Sequence, residues 1–190
     1  MSKIDQHKPL PQIHQREIVA RSGLFRVERV DLEFSNGATR QFERMAGTGR
    51  GAVMIVPLLD NETMLLVREY AAGTHSYQLG FPKGLIDPGE NPLQAANREL
   101  QEEVGYAANN LTEIHQVNMA PTFFNARMNI VLATDLYEQR LEGDEPEPLD
   151  VIPWPLQDID GLLARDDFIE ARCIAALFLV HKWLTERESA

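Results

Sequence analysis

The chain has almost no cysteine, no excess of basic charge and no long apolar run, and each absence removes a class of protein. Its single cysteine, Cys173, has no partner for an intramolecular bridge, so a small scaffold stapled by disulfides is excluded. It lies in the apolar stretch from Ala171 to Val180, which favours a buried, unreactive thiol. Lysine and arginine number 18 against 29 aspartates and glutamates, a formal charge of -11. A surface that neutralises many phosphates of DNA or RNA needs the opposite balance, so a nucleic acid partner is not expected. No stretch approaches the ~18 apolar residues that cross a bilayer, and the amino terminus has no signal-like apolar core. A cytoplasmic protein without membrane contact is the expectation. The five histidines show no paired spacing of the kind that marks a zinc site.

What is present is an ordinary globular composition over 190 residues, 44% hydrophobic and 25% charged, enough for one domain with an added element. Residues 1–16 are polar with two prolines and are expected to form a loose tail. Residues 17–45 carry short β-like runs at Ile18 to Ala20, Leu24 to Phe34 and Thr39 to Glu43, with a hairpin signal at Ser35-Asn36-Gly37. So small an antiparallel segment has little to bury by itself, and it is a natural dimer contact. Residues 46–190 then form the main domain.

In that domain the runs Ala52 to Pro57 and Met64 to Glu69 read as buried strands. Leu79 to Gly89 reads as a loop, and Asn91 as the cap of a helix with Pro92 at its first position, Gln94 completing a capping box and Gly105 as its stop. Strands are expected at Ile114 to Met119 and Met128 to Leu136, an acidic loop at Glu142 to Pro148, and helices at Leu156 to Leu163 and Asp167 to Thr185. This order predicts an α/β fold, a mixed sheet sandwiched by helices.

The chemistry is concentrated on the helix after Asn91. At about 100° per residue, Leu93, Ala96, Leu100 and Val104 make an apolar stripe, and Glu99, Glu102 and Glu103 share a neighbouring arc. Like charges three and four residues apart repel. The arrangement becomes favourable if a hard divalent cation with oxygen ligands sits among the carboxylates. A Glu-rich helix is more often just a solvated face; the flanking glycines and Arg98 tip the balance toward a site. From Gly84 to Tyr106 the segment matches the pattern G-x5-E-x7-R-E-U-x-E-E-x-G-U, U being apolar, with Glu90, Arg98, Glu99, Glu102, Glu103 and Gly105 in place and only Tyr106 departing.

This pattern is the Nudix box, and the chain resembles the Nudix hydrolases. The resemblance extends over most of residues 17–185 and is closest to the ADP-sugar pyrophosphatase branch and its bacterial ADP-compound hydrolases. It rests on Val30 to Gly37, Leu79 to Glu90, Ala95 to Leu100, Leu141 to Leu149 and Ala175 to Val180. It implies an α/β/α sandwich and hydrolysis of the pyrophosphate bond in ADP-ribose, diadenosine polyphosphates or NADH, releasing AMP, with Mg²⁺ or Mn²⁺ as cofactor and a homodimer as the assembly.

By that resemblance Glu99, Glu103 and the Lys83 carbonyl hold the metal, and Glu102 assists. Glu90 and Arg98 form an orienting pair. In the acidic loop Glu147 is a further ligand candidate. Glu145 is the first choice of general base, ahead of Glu102; the alternative for both loop residues is a solvated acidic turn. Phe25 and Arg44 are candidate adenine contacts, or a core residue and a surface charge. Phe123, Phe124 or Arg127 could border the second half of the substrate. An arginine used near the phosphates in ADP-sugar enzymes is replaced at Ala71, with Arg68 close by. Two competing readings are a non-hydrolytic sensor of ADP-ribose or NAD, which the intact box disfavours, and an RNA-cap hydrolase, which the acidic balance disfavours.

Overall fold

The computed structural model describes residues 8–47 and 49–188, and the chain divides into two compact units: Met1–Gly49 with Met119–Ala126, and Arg50–Asn118 with Arg127–Ala190. The first unit is built on β1 (Gln12–Arg21), β2 (Arg26–Glu33) and β3 (Thr39–Met45), each antiparallel to the next. The hairpin expected at Asn36-Gly37 forms. Gly37 takes a φ of 79°, Phe34 N–H donates to the Ala38 carbonyl at 2.9 Å, and Asn36 Oδ1 accepts from Ala38 N–H at 3.1 Å.

The start of β1 differs from the expectation. Residues 1–7 of the expected tail lie outside the described residues, but residues 12–16 are strand. Their sequence has no apolar alternation because both faces of this edge strand are largely exposed. Backbone pairing with β2 holds it, aided by cross-strand pairs such as His14 with Glu33 at 2.9 Å.

The second unit is organised by strict two-residue alternation. Strand β4 (Ala52–Pro57) lies parallel to β9 (Phe124–Glu138) and antiparallel to β7 (Lys83–Leu85). Strand β8 (Tyr106–Ala120) pairs with β9 on its other side. A second, antiparallel sheet has β5 (Thr63–Ala71) between β6 (Ser76–Gly80) and β10 (Asp150–Pro155). Met54, Val56, Leu66, Ile130 and Leu132 point to one core, shared with Phe81, Phe168, Cys173, Ala176 and Leu177. Val53, Ile55, Leu65, Val67, Val131 and Ala133 point to the other, shared with Ala95, Ala96, Leu100 and Val104. Period two therefore sends one face of these strands to α3 (Ala171–Glu188) and the other to α1 (Pro92–Glu99). The result is the expected mixed-sheet α/β sandwich.

Several elements differ from the sequence reading. The loop expected from Leu79 to Gly89 contains the end of β6 and all of β7. Strand β10, which falls between the expected acidic loop and the expected helix at Leu156, contains Pro153 and Pro155; it survives because it is an edge strand, where a missing N–H costs little. Helix α2 is confined to Ile159–Leu163, and α3 starts at Ala171 instead of Asp167. Asp167 is committed elsewhere: its carbonyl accepts from Leu79 N–H at 2.8 Å and its carboxylate binds Arg165. Glu170 closes the first turn of α3 by accepting from Cys173 N–H at 3.0 Å. The Cys173 thiol is buried as expected, and burial pushes its pKa up to about 12. Among the described residues no helix is long and apolar enough to cross a membrane.

The helix that carries the acidic residues starts as read. Asn91 Oδ1 accepts from Leu93 and Gln94 N–H at 3.0 Å, and Gln94 Oε1 accepts from Asn91 N–H at 2.9 Å. Asn91→Ala removes the two bonds that the Asn91 side chain accepts, leaves the one from its main-chain N–H to Gln94, and is expected to destabilise the protein by about 1 kcal/mol in urea unfolding.

Candidate active site

The helix does not continue as an α-helix through its acidic stretch. Leu100–Val104 form one π-helical turn, closed by Gly105 N–H donating to the Leu100 carbonyl at 3.1 Å. Such a widened turn is frequent where side chains must be re-aimed at a functional site. It ends at Gly105 with a φ of 85°, a conformation that suits glycine, beneath the guanidinium of Arg140. Glu99 and Glu103 are consequently buried, at 8% and 5% exposure, where a solvated Glu-rich helix would expose them.

Arg98 holds this arrangement. Its Nε and Nη2 donate to the two oxygens of Glu90 at 2.9 and 3.0 Å, its Nη1 to Glu99 at 2.7 Å and Glu102 at 2.9 Å, and its Nη2 also to the Leu85 carbonyl at 2.9 Å. All five guanidinium hydrogens are used. The hydrogen bond from Arg98, followed by the Asp87 N–H, holds the Glu90 carboxyl below the usual range. The expected Glu90–Arg98 pair is thus present, and it joins the loop of Leu85–Glu90 to the helix.

Gly84 leaves the space that the Glu99 carboxylate fills. A Cβ at this position would overlap the Glu99 carboxylate, so the carboxylate lies directly over the β7 backbone. Beside it, Lys83 N–H donates to Glu103 Oε2 at 3.2 Å, and Lys83 Nζ pairs with Glu69. Burial works against the Lys83 ammonium, but Glu69 and Glu103 outweigh it and hold its pKa above the ordinary lysine range. Burial pushes Glu103 up to about 8, with Glu69 and Glu99 adding and Lys83 opposing. Burial also raises Glu99, against the pull of Arg98.

The acidic loop continues this site. Leu141 N–H donates to the Gln101 carbonyl at 3.2 Å. Glu145, half-buried, comes within electrostatic reach of Asp144, Glu69, Lys83 and Glu102, and burial is the main cause of its raised pKa. Its Oε2 is buried with no hydrogen-bond partner. The carboxylate of Glu147 accepts from the hydroxyl of Tyr77. Glu69, Tyr70, Leu149 and loop residues 144–147 line an open cleft of about 250 Å³.

The other candidates have settings of their own. Arg68 belongs to the opposite face of β5 from Glu69, bonded to Asp167 at 3.3 Å and 3.9 Å from Asp150. Neighbouring residues on a strand face opposite ways, so Arg68 and Glu69 leave β5 on different sides. Arg127 is exposed on β9. In the first unit Phe25 and Phe123 are 52% and 54% exposed, which excludes a core role for either, and Arg44 is paired with Glu28 at 2.7 Å. Glu69, Tyr70, Tyr77 and Asp144 were not anticipated. For Glu69 the signal was available: it follows Leu65 and Val67 on the face of β5 that packs toward α1.

The donor set fits a hard divalent cation. Glu99, Glu103 and Glu145 offer buried or half-buried carboxylate oxygen, one of them unpartnered, and Gly84 leaves room that a side chain would fill. Among the described residues no three carboxylate, imidazole or thiol groups converge on one point, so a main-chain oxygen or water must complete any metal shell.

The raised pKa of Glu103 has a consequence for the metal-free protein. Between the ordinary glutamate pKa and about 8 the folded state holds a proton that the unfolded state has lost. Stability is therefore greatest below the unfolded value and falls as pH rises toward about 8. Melting temperatures measured in EDTA from pH 5 to 8 are expected to fall less steeply for Glu103→Gln than for the wild type.

Two family models match the chain: the NudE-type Nudix hydrolase N-terminal domain over residues 11–44, and the NUDIX domain over residues 48–177. The chain is 60% identical over 174 residues to the ADP compounds hydrolase NudE of Escherichia coli, covering 92% of this chain and 93% of that protein. It is 29% identical over 149 residues to the ADP-ribose pyrophosphatase of Bacillus subtilis, covering 77% and 80%. A crystal structure of ADP compounds hydrolase superposes with a TM-score of 0.90 at 58% identity, covering 95% of this chain and 97% of that one. With the box residues gathered around Arg98 and both models spanning nearly the whole chain, this protein belongs to the Nudix hydrolase family.

Proposed function

We propose that the protein hydrolyses the pyrophosphate bond of ADP-containing compounds such as ADP-ribose, diadenosine polyphosphates and NADH, releasing AMP. The observation that carries this reading is the assembly of Glu99, Glu103, Lys83 and Glu145 on one side of the α1 end of the sandwich, built around the five bonds of Arg98. The two relatives named above, one a hydrolase of ADP compounds and one of ADP-ribose, support the choice of substrate class.

Glu99, Glu103 and the Lys83 carbonyl are the residues that would hold Mg²⁺. When bound, Mg²⁺ supplies charge stabilisation for the phosphate oxygens and for the attacking water. Arg98 fixes the Glu99 and Glu102 carboxylates, and Glu90 fixes Arg98. Glu145 is the general base in this reading. Its Oε2 has no competing donor, whereas Glu102 is committed to Arg98 at 2.9 Å. Lys83 Nζ, bonded to Glu69, offsets part of the negative charge that would otherwise oppose a phosphorylated substrate.

Phe25 and Arg44 remain the proposed adenine contacts, an exposed ring and a guanidinium suited to stacking on a flat base. Phe123 and Arg127 remain candidates for the second half of the substrate. The exposed rings of Phe25, Phe34, Phe42 and Phe123 in the first unit support a homodimer, which sedimentation would test. The cytoplasm is the proposed setting.

The test is AMP release from ADP-ribose, NADH and diadenosine triphosphate with Mg²⁺, followed by chromatography. Turnover is expected to stop on adding EDTA. Glu99→Gln and Glu103→Gln are each expected to lower it by at least about 100-fold, the worth of several kcal/mol of charge stabilisation. Full activity in Glu103→Gln would remove the metal assignment. Gly84→Ala, which displaces the Glu99 carboxylate without touching its chemistry, is expected to show the same loss with the fold intact by circular dichroism.

A further inference from the structure

The acidic loop between β9 and β10 is pinned at its start by two main-chain bonds, Gln139 N–H to the Gly105 carbonyl at 3.1 Å and Leu141 N–H to the Gln101 carbonyl at 3.2 Å. Residues 142–148 have no strand or helix pairing of their own. Glu145 hangs in this span, and among the described residues its buried Oε2 has no hydrogen-bond partner. Beyond it, Glu147 reaches sideways to the hydroxyl of Tyr77 on edge strand β6.

Tyr77 is itself held by its neighbours. It stands opposite Tyr70 in the β5–β6 register, and the rings meet edge to face at 5.8 Å. Tyr70 Oη is in turn hydrogen-bonded to His75 Nδ1 at 2.8 Å. One aromatic contact, with Tyr70, thus braces an exposed tyrosine whose hydroxyl donates to Glu147. The carboxylate also favours the protonated phenol and raises its pKa.

We propose that Tyr77 is a positioning residue of the active site: through Glu147 it clasps the far end of the acidic loop and so holds Glu145 at the carboxylate cluster. Glu147 then acts as the loop's anchor and not as a metal ligand. The proposal deepens the functional reading above, on which the role of Glu145 in turnover rests.

The experiment separates an anchor from a ligand by what each tolerates. Tyr77→Phe removes only the hydroxyl, and Glu147→Gln keeps an oxygen that accepts from it, whereas Glu147→Ala removes the acceptor. Amide hydrogen exchange of residues 141–149 in the metal-free protein is expected to rise in Tyr77→Phe and Glu147→Ala and to stay near wild type in Glu147→Gln. For AMP release, the first two variants are expected to lose about tenfold in kcat, the worth of a hydrogen bond to a charged group, with KM little changed. The double variant Tyr77→Phe/Glu147→Ala is expected to be no worse than either single one, because both break the same bond. Unchanged loop exchange in Tyr77→Phe would overturn the clasp. So would a Glu147→Gln as impaired as Glu147→Ala beside an active Tyr77→Phe, the signature of a metal ligand. If the wild type hydrolyses none of the ADP compounds, the functional reading fails by itself, and the exchange comparison still decides the clasp.

Discussion

The guanidinium of Arg98 is the interaction on which the site depends. Five donors in a rigid plane meet Glu90 twice, Glu99, Glu102 and the Leu85 carbonyl. A lysine could not replace it, because a single ammonium has three donors and no fixed plane. The bonds do two things at once. They tie the loop after β7 to the end of α1, and they compensate negative charge that would otherwise drive Glu99 and Glu102 apart. Removing the arginine would leave Glu99 buried without its cation, and burial already raises its pKa.

That hub is useful only because the strands beneath it are rigid and aimed. Buried side chains on β4, β5 and β9 alternate between the α1 and α3 cores, so a residue's parity decides whether it can reach the site. Glu69 has the parity of Val67 and meets Lys83; Arg68 has that of Leu66 and meets Asp167. The same rule explains why Lys83 can serve twice. Its main chain lies along Glu103 as part of β7, paired with Met54, while its side chain turns to Glu69.

Legibility in the sequence followed the range of the interactions. The α1 start, the hairpin at Asn36-Gly37 and the stop at Gly105 are written in a few adjacent residues, and all three appear as read. The box residues were legible because their spacing is fixed by one loop and one helix. Less legible was whatever depends on distant partners. Strand β10 owes its existence to pairing with β5 despite two prolines, and β1 begins with polar residues that only a ladder with β2 makes into strand. The late start of α3, at Ala171 and not Asp167, follows from Asp167 bonding to Leu79, a distant partner, as well as to nearby Arg165. The π-helical turn could not be seen at all, since its sequence suits an ordinary helix equally well.

The acidic loop shows why residue type and spacing do not by themselves assign a role. Glu145 and Glu147 are two apart, and on a regular strand they would face the same way. Here Pro146 stands between them in a bend, which releases the loop from strand geometry. One carboxylate therefore lies close to Glu102 and Lys83, and the other accepts from Tyr77. With Glu69, Glu99, Glu102, Glu103 and Asp144 already nearby, a second loop carboxylate there would add repulsion to a cluster that Arg98 and Lys83 only partly neutralise. Sending Glu147 to a neutral hydroxyl avoids that cost and turns the same residue into a mechanical anchor for its neighbour.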